Sequence, residues 1–326
     1  MVHFVGMLAA IALTALCWGI YGPVLGKGSA LLQSPLRAFM CVGLAYFLIA
    51  IVVPLGILSR FGEKGAWRTT GVVWSLVAGA AGALGALGVI LALRVFQGNP
   101  IYVMPLVFGG APVVNTLLNA FINKAFNQLK APFLAGLILV ITGAVVVLLF
   151  RPQTGHGGVV VEAERTLGWL LSAMMAMLSW GAYGPVLHKG QMAMGGSRLR
   201  PLICIGVSYF LIAVLVPWAL LVPLGDAGNW GGGGLAWSLA GGALGALGAL
   251  GTILAFACGG KPFTVMPVVF GCAPVINTFA TLALAATTPE SVSPFFLAGM
   301  LIVAAGAATV LAFGPRGHAP PKPAPA

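Results

Sequence analysis

Hydrophobic residues in this chain come in long blocks rather than in short alternations with polar ones. Blocks near the length that crosses a bilayer core, about 20 residues, fall at 4–26, 36–58, 70–93, 100–122 and 132–150. A polar stretch from Arg151 to Thr166 comes next, and the blocks resume at 167–188, 201–223, 235–257, 263–286 and 294–313. The pattern predicts an all-α integral membrane protein with ten transmembrane helices. Its expected divisions are a first five-helix unit at 1–150, a polar linker at 151–166 and a second unit at 167–313. A Pro-rich tail at 314–326 is expected to be disordered.

The second set of blocks copies the first. WGIYGPVLGKG at 18–28 returns as WGAYGPVLHKG at 180–190, identical at nine of eleven positions. CVGLAYFLIAIVVP at 41–54 returns as CIGVSYFLIAVLVP at 204–217, and GALGALG at 82–88 returns at 245–251. MPLVFGGAPVVNT at 104–116 returns as MPVVFGCAPVINT at 266–278. The offset holds at 162 or 163 throughout. An odd number of helices per copy obliges the second copy to enter the membrane from the opposite side, so the two five-helix repeats are expected to be inverted.

Charge supports that topology. With the N-terminus inside, the inner loops and tail hold 11 Lys and Arg and the outer side holds 5, which predicts both termini cytoplasmic in a cytoplasmic (inner) membrane. The 59–69 loop carries Arg60, Lys64 and Arg68, and the 123–131 loop carries Lys124 and Lys130. Their copies near 224–234 and 287–293 carry no basic residue but Asp226 and Glu290.

Composition then narrows the class. Sixty per cent of the 326 residues are hydrophobic and 6% charged, far below the roughly 25% charged of a soluble domain. The net charge of +11 sits in short segments between apolar runs, where it meets lipid headgroups rather than nucleic acid. The 47 Gly and 22 Pro lie inside apolar runs, which transmembrane helices tolerate. Cys17, Cys41, Cys204, Cys258 and Cys272 have neither metal-ligand spacing nor a disulfide framework and read as small buried hydrophobes. The first apolar block has no Lys or Arg before it and its end recurs in the second half, so it reads as part of the fold and not as a signal peptide.

Candidate chemistry comes from the repeat. In inverted-repeat carriers the solute site lies where corresponding helices are interrupted near the midplane. Pro105, Pro112, Pro267 and Pro274 deprive carbonyls four residues back of their donors, making the fourth and ninth segments candidate helix breaks. Asn115 and Asn277 lie three residues beyond the second prolines, on nearly the same face; each could bind hydroxyls, amides or carboxylates, or simply tie one helix to another. Trp18 with Tyr21, and Trp180 with Tyr183, are three apart; such pairs could stack on a sugar ring, close a gate, or anchor the helix at the interface. Tyr46 and Tyr209 are mid-segment hydroxyls that need a partner. Lys27, Arg37, Lys189 and Arg200 sit near segment ends, either at the mouths of a pathway or snorkelling. The GxxGxxG runs lack a nucleotide loop's strand–turn–helix setting and read as close helix packing or a sliding surface.

Every carboxylate (Glu63, Glu162, Glu164, Asp226, Glu290) falls in a predicted loop. Proton relays through the membrane use embedded Asp, Glu or His; transport is therefore expected to be passive, exchange-type or sodium-linked. Neither HExxH, GxSxG nor a pair of membrane-embedded acids occurs, and no enzyme activity, cofactor or metal is expected.

Repeat number, size, WGxYGPVLxKG and the proline-bearing fourth segment resemble the drug/metabolite transporter superfamily, and within it the glucose/rhamnose-type sugar permeases and EamA-like proteins. The resemblance implies a secondary transporter working by alternating access. It implies a central cavity walled by the first four helices of each repeat and lined by Trp18, Tyr21, Asn115, Trp180, Tyr183 and Asn277. The fifth and tenth segments would be peripheral, where they offer a homodimer surface. A sugar-like neutral solute leads as substrate. An EamA-type exporter of amino acids or other metabolites, and a channel, are the alternatives.

Overall fold

The structure is a computed structural model that describes residues 2–98, 100–150, 163–285 and 293–315. Ten of its helices are long and apolar enough to cross a membrane: α1 (His3–Leu32), α2 (Pro35–Phe61), α3 (Thr69–Val95), α4 (Tyr102–Ile122), α5 (Ala131–Phe150), α6 (Thr166–Ala193), α7 (Leu199–Leu221), α8 (Gly232–Ala257), α9 (Pro262–Leu284) and α10 (Pro294–Phe313). The chain is an all-α integral membrane protein. A helix satisfies its own backbone groups, which a bilayer core leaves no water to satisfy. Large apolar side chains such as Leu48, Ile138, Trp218 and Leu301 stand exposed around the bundle, a surface matched to lipid. Arg151, Glu162, Glu290, Arg316 and Lys322, with most of the predicted linker and tail, lie outside the described residues, as do the side chains of Glu164 and Arg165.

Two boundaries differ from expectation. Helices α1 and α6 run on to Leu32 and Ala193, so Lys27 and Lys189 lie within helices rather than at their ends. Each ammonium sits over an indole of a neighbouring helix, Lys27 over Trp237 and Lys189 over Trp74, both 4.2 Å from the ring centroid. The favourable cation–π contact holds the last turns together. Prolines also break less than expected. Helices Pro100–Ile122 and Pro262–Ala285 run through Pro105, Pro112, Pro267 and Pro274. Each proline removes one hydrogen bond, but without competing water the flanking ladder carries the helix through. The departures from regular helix lie elsewhere, in wide π-turns at Phe47–Val52 and Leu211–Leu215, just before Pro54 and Pro217, and at Leu91–Val95, the end of α3.

Contacts between helices repeat themselves across the two halves. Helix α1 packs on α8 and α9, while α6 packs on α3 and α4. Helix α2 joins α8, and α7 joins α3. Two mixed bodies result: α1, α2, α8 and α9 form one, and α3, α4, α6 and α7 form the other. They meet where equivalent residues face each other. Tyr46 stacks on Tyr209 with centroids 3.8 Å apart, Phe47 approaches Phe210 at 5.1 Å, and Phe108 approaches Phe270 at 6.3 Å. Helices α5 and α10 pack on each other through Gly136, Gly143, Gly299 and Gly306, so the small-residue faces of this pair are occupied within the chain.

The near face holds the start of α1, where Gly6 lies against Cys258 at the end of α8, and the α2–α3 and α6–α7 turns, which bond each other through Ala66 and Met194. The far face holds the α1–α2 and α7–α8 turns, joined by Asn229 N–H to Leu32 O at 2.9 Å. Among the described residues each face is tied by one ion pair, and the two ties are equivalent. On the far face Arg37 Nε lies 2.7 Å from Asp226, to which Ser34 also donates. On the near face Arg200 lies 3.6 Å from Glu63, which accepts from Ser197 at 2.5 Å. Arg37 thus ties α2 to the α7–α8 turn and Arg200 ties α7 to the α2–α3 turn, the two turns through which the chain passes between the bodies.

Candidate functional site

The glycine runs of α3 and α8 create the site. A Cβ at Gly248 would overlap the Trp18 indole, and one at Gly85 would overlap that of Trp180. Where the glycines leave room, each indole lies flat on the facing helix and donates Nε1–H to a carbonyl one turn away: Trp18 to Gly245 O and Trp180 to Gly82 O, each at 3.2 Å. Gly82 and Gly245 likewise admit the Tyr209 and Tyr46 rings. The runs are seats for aromatic rings as much as packing surfaces.

Between the bodies these rings enclose a cavity of about 140 Å³. Trp18, Tyr21, Tyr46, Trp180, Tyr183 and Tyr209 line it, with Phe108, Phe270 and Asn277. No Asp, Glu, Lys, Arg or His is among its lining residues. With the indole N–H groups already bonded to Gly245 O and Gly82 O, the polar groups it offers are tyrosine hydroxyls and one amide, an arrangement that can stack on a flat or ring-shaped solute and hydrogen-bond neutral groups. Among the described residues no group of three His, Cys, Asp or Glu could hold a metal ion.

The two asparagines differ. Asn277 borders the cavity, its Nδ2 donating to Gly19 O at 3.2 Å. Asn115 is fully buried and donates to Pro262 O at 2.8 Å, pinning α4 to the start of α9. It does not line the cavity. Lys27, Lys189, Arg37 and Arg200 also stand away from it, engaged with their own rings and carboxylates.

A vestibule of about 310 Å³ continues from Tyr21, Trp180 and Asn277 toward the far face. Gly26, Ser29, Leu93, Arg94, Met104 and Thr281 line it. Arg94, the only charged residue among the described residues that line this route, was no candidate from sequence; its copy at 257 is alanine. Toward the near face the equivalent route is shut. Tyr183, Leu187 and Met266 are buried, although their copies Tyr21, Leu25 and Met104 border open space. Tyr183 meets Trp18 edge-on at 5.7 Å. Beyond the seal lies a separate polar recess formed by Asn119, Asn123, Gln128, His188 and Lys261.

No protein-family model matches the chain, and no curated protein does. Among solved structures, one crystal structure of a protein matches 93% of this chain and 95% of its own, with a TM-score of 0.67 and 18% sequence identity. The likeness is one of fold.

Proposed function

We propose that the protein is a secondary carrier that moves a small, neutral, hydroxylated solute by alternating access. The observation that carries this reading is the asymmetry of a symmetric molecule: one aromatic cavity, open through a vestibule to the far face and shut toward the near face by copies of the same residues. Exchanging the two arrangements opens the near face and shuts the far one without any new kind of contact. The uncharged lining favours a neutral solute, with a sugar-like ring stacked on Trp18 and Trp180 and its hydroxyls near Asn277 and the tyrosines. The near face carries Arg60, Lys64, Arg68, Lys124, Lys130 and Lys189, which supports a cytoplasmic near face, hence cytoplasmic termini and an inner-membrane location. Ten spans in two repeats, together with WGxYGPVLxKG, support membership of the drug/metabolite transporter superfamily near the glucose/rhamnose-type and EamA-like branch.

Counterflow in proteoliposomes tests the reading. Labelled sugars, then amino acids, are offered singly against an excess of the same unlabelled compound inside. Saturable, transient accumulation of a sugar, lost in Asn277→Ala and Trp180→Ala but retained in Lys124→Ala, is expected. Accumulation of amino acids alone would move the substrate to the exporter class. Unsaturable flux without counterflow would make the protein a channel.

A further inference from the structure

We infer that His188 and Gln191 are the lock of the near-face gate, and that they give the two faces unequal resting closure. The inference rests on the carrier reading. Its starting point is a difference between the repeats. Between WGIYGPVLGKGS and WGAYGPVLHKGQ the positions that differ are Ile20/Ala182, Gly26/His188 and Ser29/Gln191. The last two fall on successive turns of α1 and α6, on the side that faces the other body.

On the near face both side chains reach across the gap. Gln191 is 1% exposed, and its Nε2 donates to Ile253 O of α8 at 3.1 Å. The His188 ring meets Phe256 of α8 edge-on at 5.2 Å. Helix α6 therefore touches α8 and α9, whereas among the described residues α1 makes no comparable approach to α3 or α4. On the far face the copies are Gly26 and Ser29, which line the open vestibule beside Ile90 and Leu93, the copies of Ile253 and Phe256. Glycine has no side chain to offer, and a serine hydroxyl is too short to reach where a glutamine amide does. Of the two possible closures, only the near one has this lock.

The lock is also built to release. Three buried polar atoms at the near-face seal have no protein partner: Gln191 Oε1, Asn115 Oδ1 and Tyr183 Oη. Leaving such groups unpaired is unfavourable, so the closed seal is held by the Gln191 and Asn115 donor bonds against a standing penalty. Water or solute hydroxyls arriving from the near-face recess could satisfy all three, which lowers the barrier to opening from that side. Lys261 is the charged group that borders this recess with His188.

The test compares two positions that are copies of each other, Met104 in the open vestibule and Met266 in the near seal. Each is replaced by Cys in full-length protein in which Cys258 and Cys272 are Ala, reconstituted in lipid and titrated with a membrane-impermeant maleimide from each side. Met104→Cys is expected to react quickly from the far side and Met266→Cys slowly from the near side. Installing the first-half residues, His188→Gly with Gln191→Ser, should raise Met266→Cys reactivity and lower that of Met104→Cys. A change of about fivefold or more in their ratio is expected, the scale of one lost buried hydrogen bond. Gln191→Ser alone, the milder variant, should move the ratio the same way. If Met266→Cys reacts measurably in the parent but neither variant changes the ratio, the lock is refuted and the carrier stands. If Met266→Cys never reacts in any variant while Met104→Cys does, the near face does not open, and lock and carrier fail together.

Discussion

Single residues in this protein matter mostly through what their absence of bulk permits. The indoles of Trp18 and Trp180 are held flat because Gly248 and Gly85 carry no side chain. Gly248→Ala should push the Trp18 ring off its seat and break its bond to Gly245 O. A loss of roughly 1–3 kcal/mol is expected for overpacking a tight contact, read as a lower unfolding midpoint in detergent together with a shifted tryptophan emission. Asp226 makes a different prediction. Its partial burial works to raise the carboxyl's pKa. Hydrogen bonds from Ser34, Arg37 and the Gly228 N–H, with the Arg37 charge, more than offset that and hold it below the ordinary carboxylate value. A lowered folded-state pKa stabilises the protein above the unfolded value of about 4, and that stability is lost as pH falls through the folded one. Thermal stability should therefore fall with pH in the acid range, and Asp226→Asn should flatten that limb of the curve.

At the scale of elements, proline and glycine do different work from that expected of helix breakers. The prolines of α4 and α9 are absorbed in continuous helices, whereas Pro54 and Pro217 come just after π-turns in α2 and α7, the two helices that cross at the centre. A π-turn absorbs one extra residue in a widened turn, so the helix on either side keeps its course. It lets Tyr46 and Phe47 face their copies while Pro54 and beyond continue on a regular path. Deleting Ile51 should remove the extra residue and close the wide turn into regular helix, which sets the Pro54 ring against the Ile49 carbonyl one turn back. A cost of about 3 kcal/mol is expected, read as loss of folded protein on size-exclusion chromatography. In α5 and α10, a Cβ at Gly306 would come within 2.5 Å of Val140 N and 3.0 Å of Gly136 O. Backbone cannot yield as a side chain can, so Gly306→Val should part the pair and lower the unfolding midpoint by the equivalent of about 1–3 kcal/mol.

The whole molecule is two bodies of mixed parentage rather than two halves side by side. Each body takes helices from both repeats, and each ion pair ends on a turn that links one body to the other. Arg37→Ala should therefore cost stability, roughly 1.5–3 kcal/mol for a charged hydrogen bond with a buried partner.

Ten helices, their order and their pairing as repeats were legible in the sequence, because lipid imposes a length and an apolarity on every span and duplication leaves identical words in register. Trp18, Tyr21, Trp180 and Tyr183 were legible as matched pairs for the same reason. What the linear pattern could not convey is which copy does what. Asn115 and Asn277 occupy equivalent places in nearly identical segments, yet one pins a seal and the other borders the cavity. Lys27 and Lys189 looked like helix ends because charge marks a boundary in hydropathy, and only the facing Trp237 and Trp74 rings account for their place inside a helix. Where the two copies are identical they specify both arrangements equally well; the tertiary structure chose between them, since Gln191 and His188 reach α8 and hold the near face shut while their copies Ser29 and Gly26 leave the far face open.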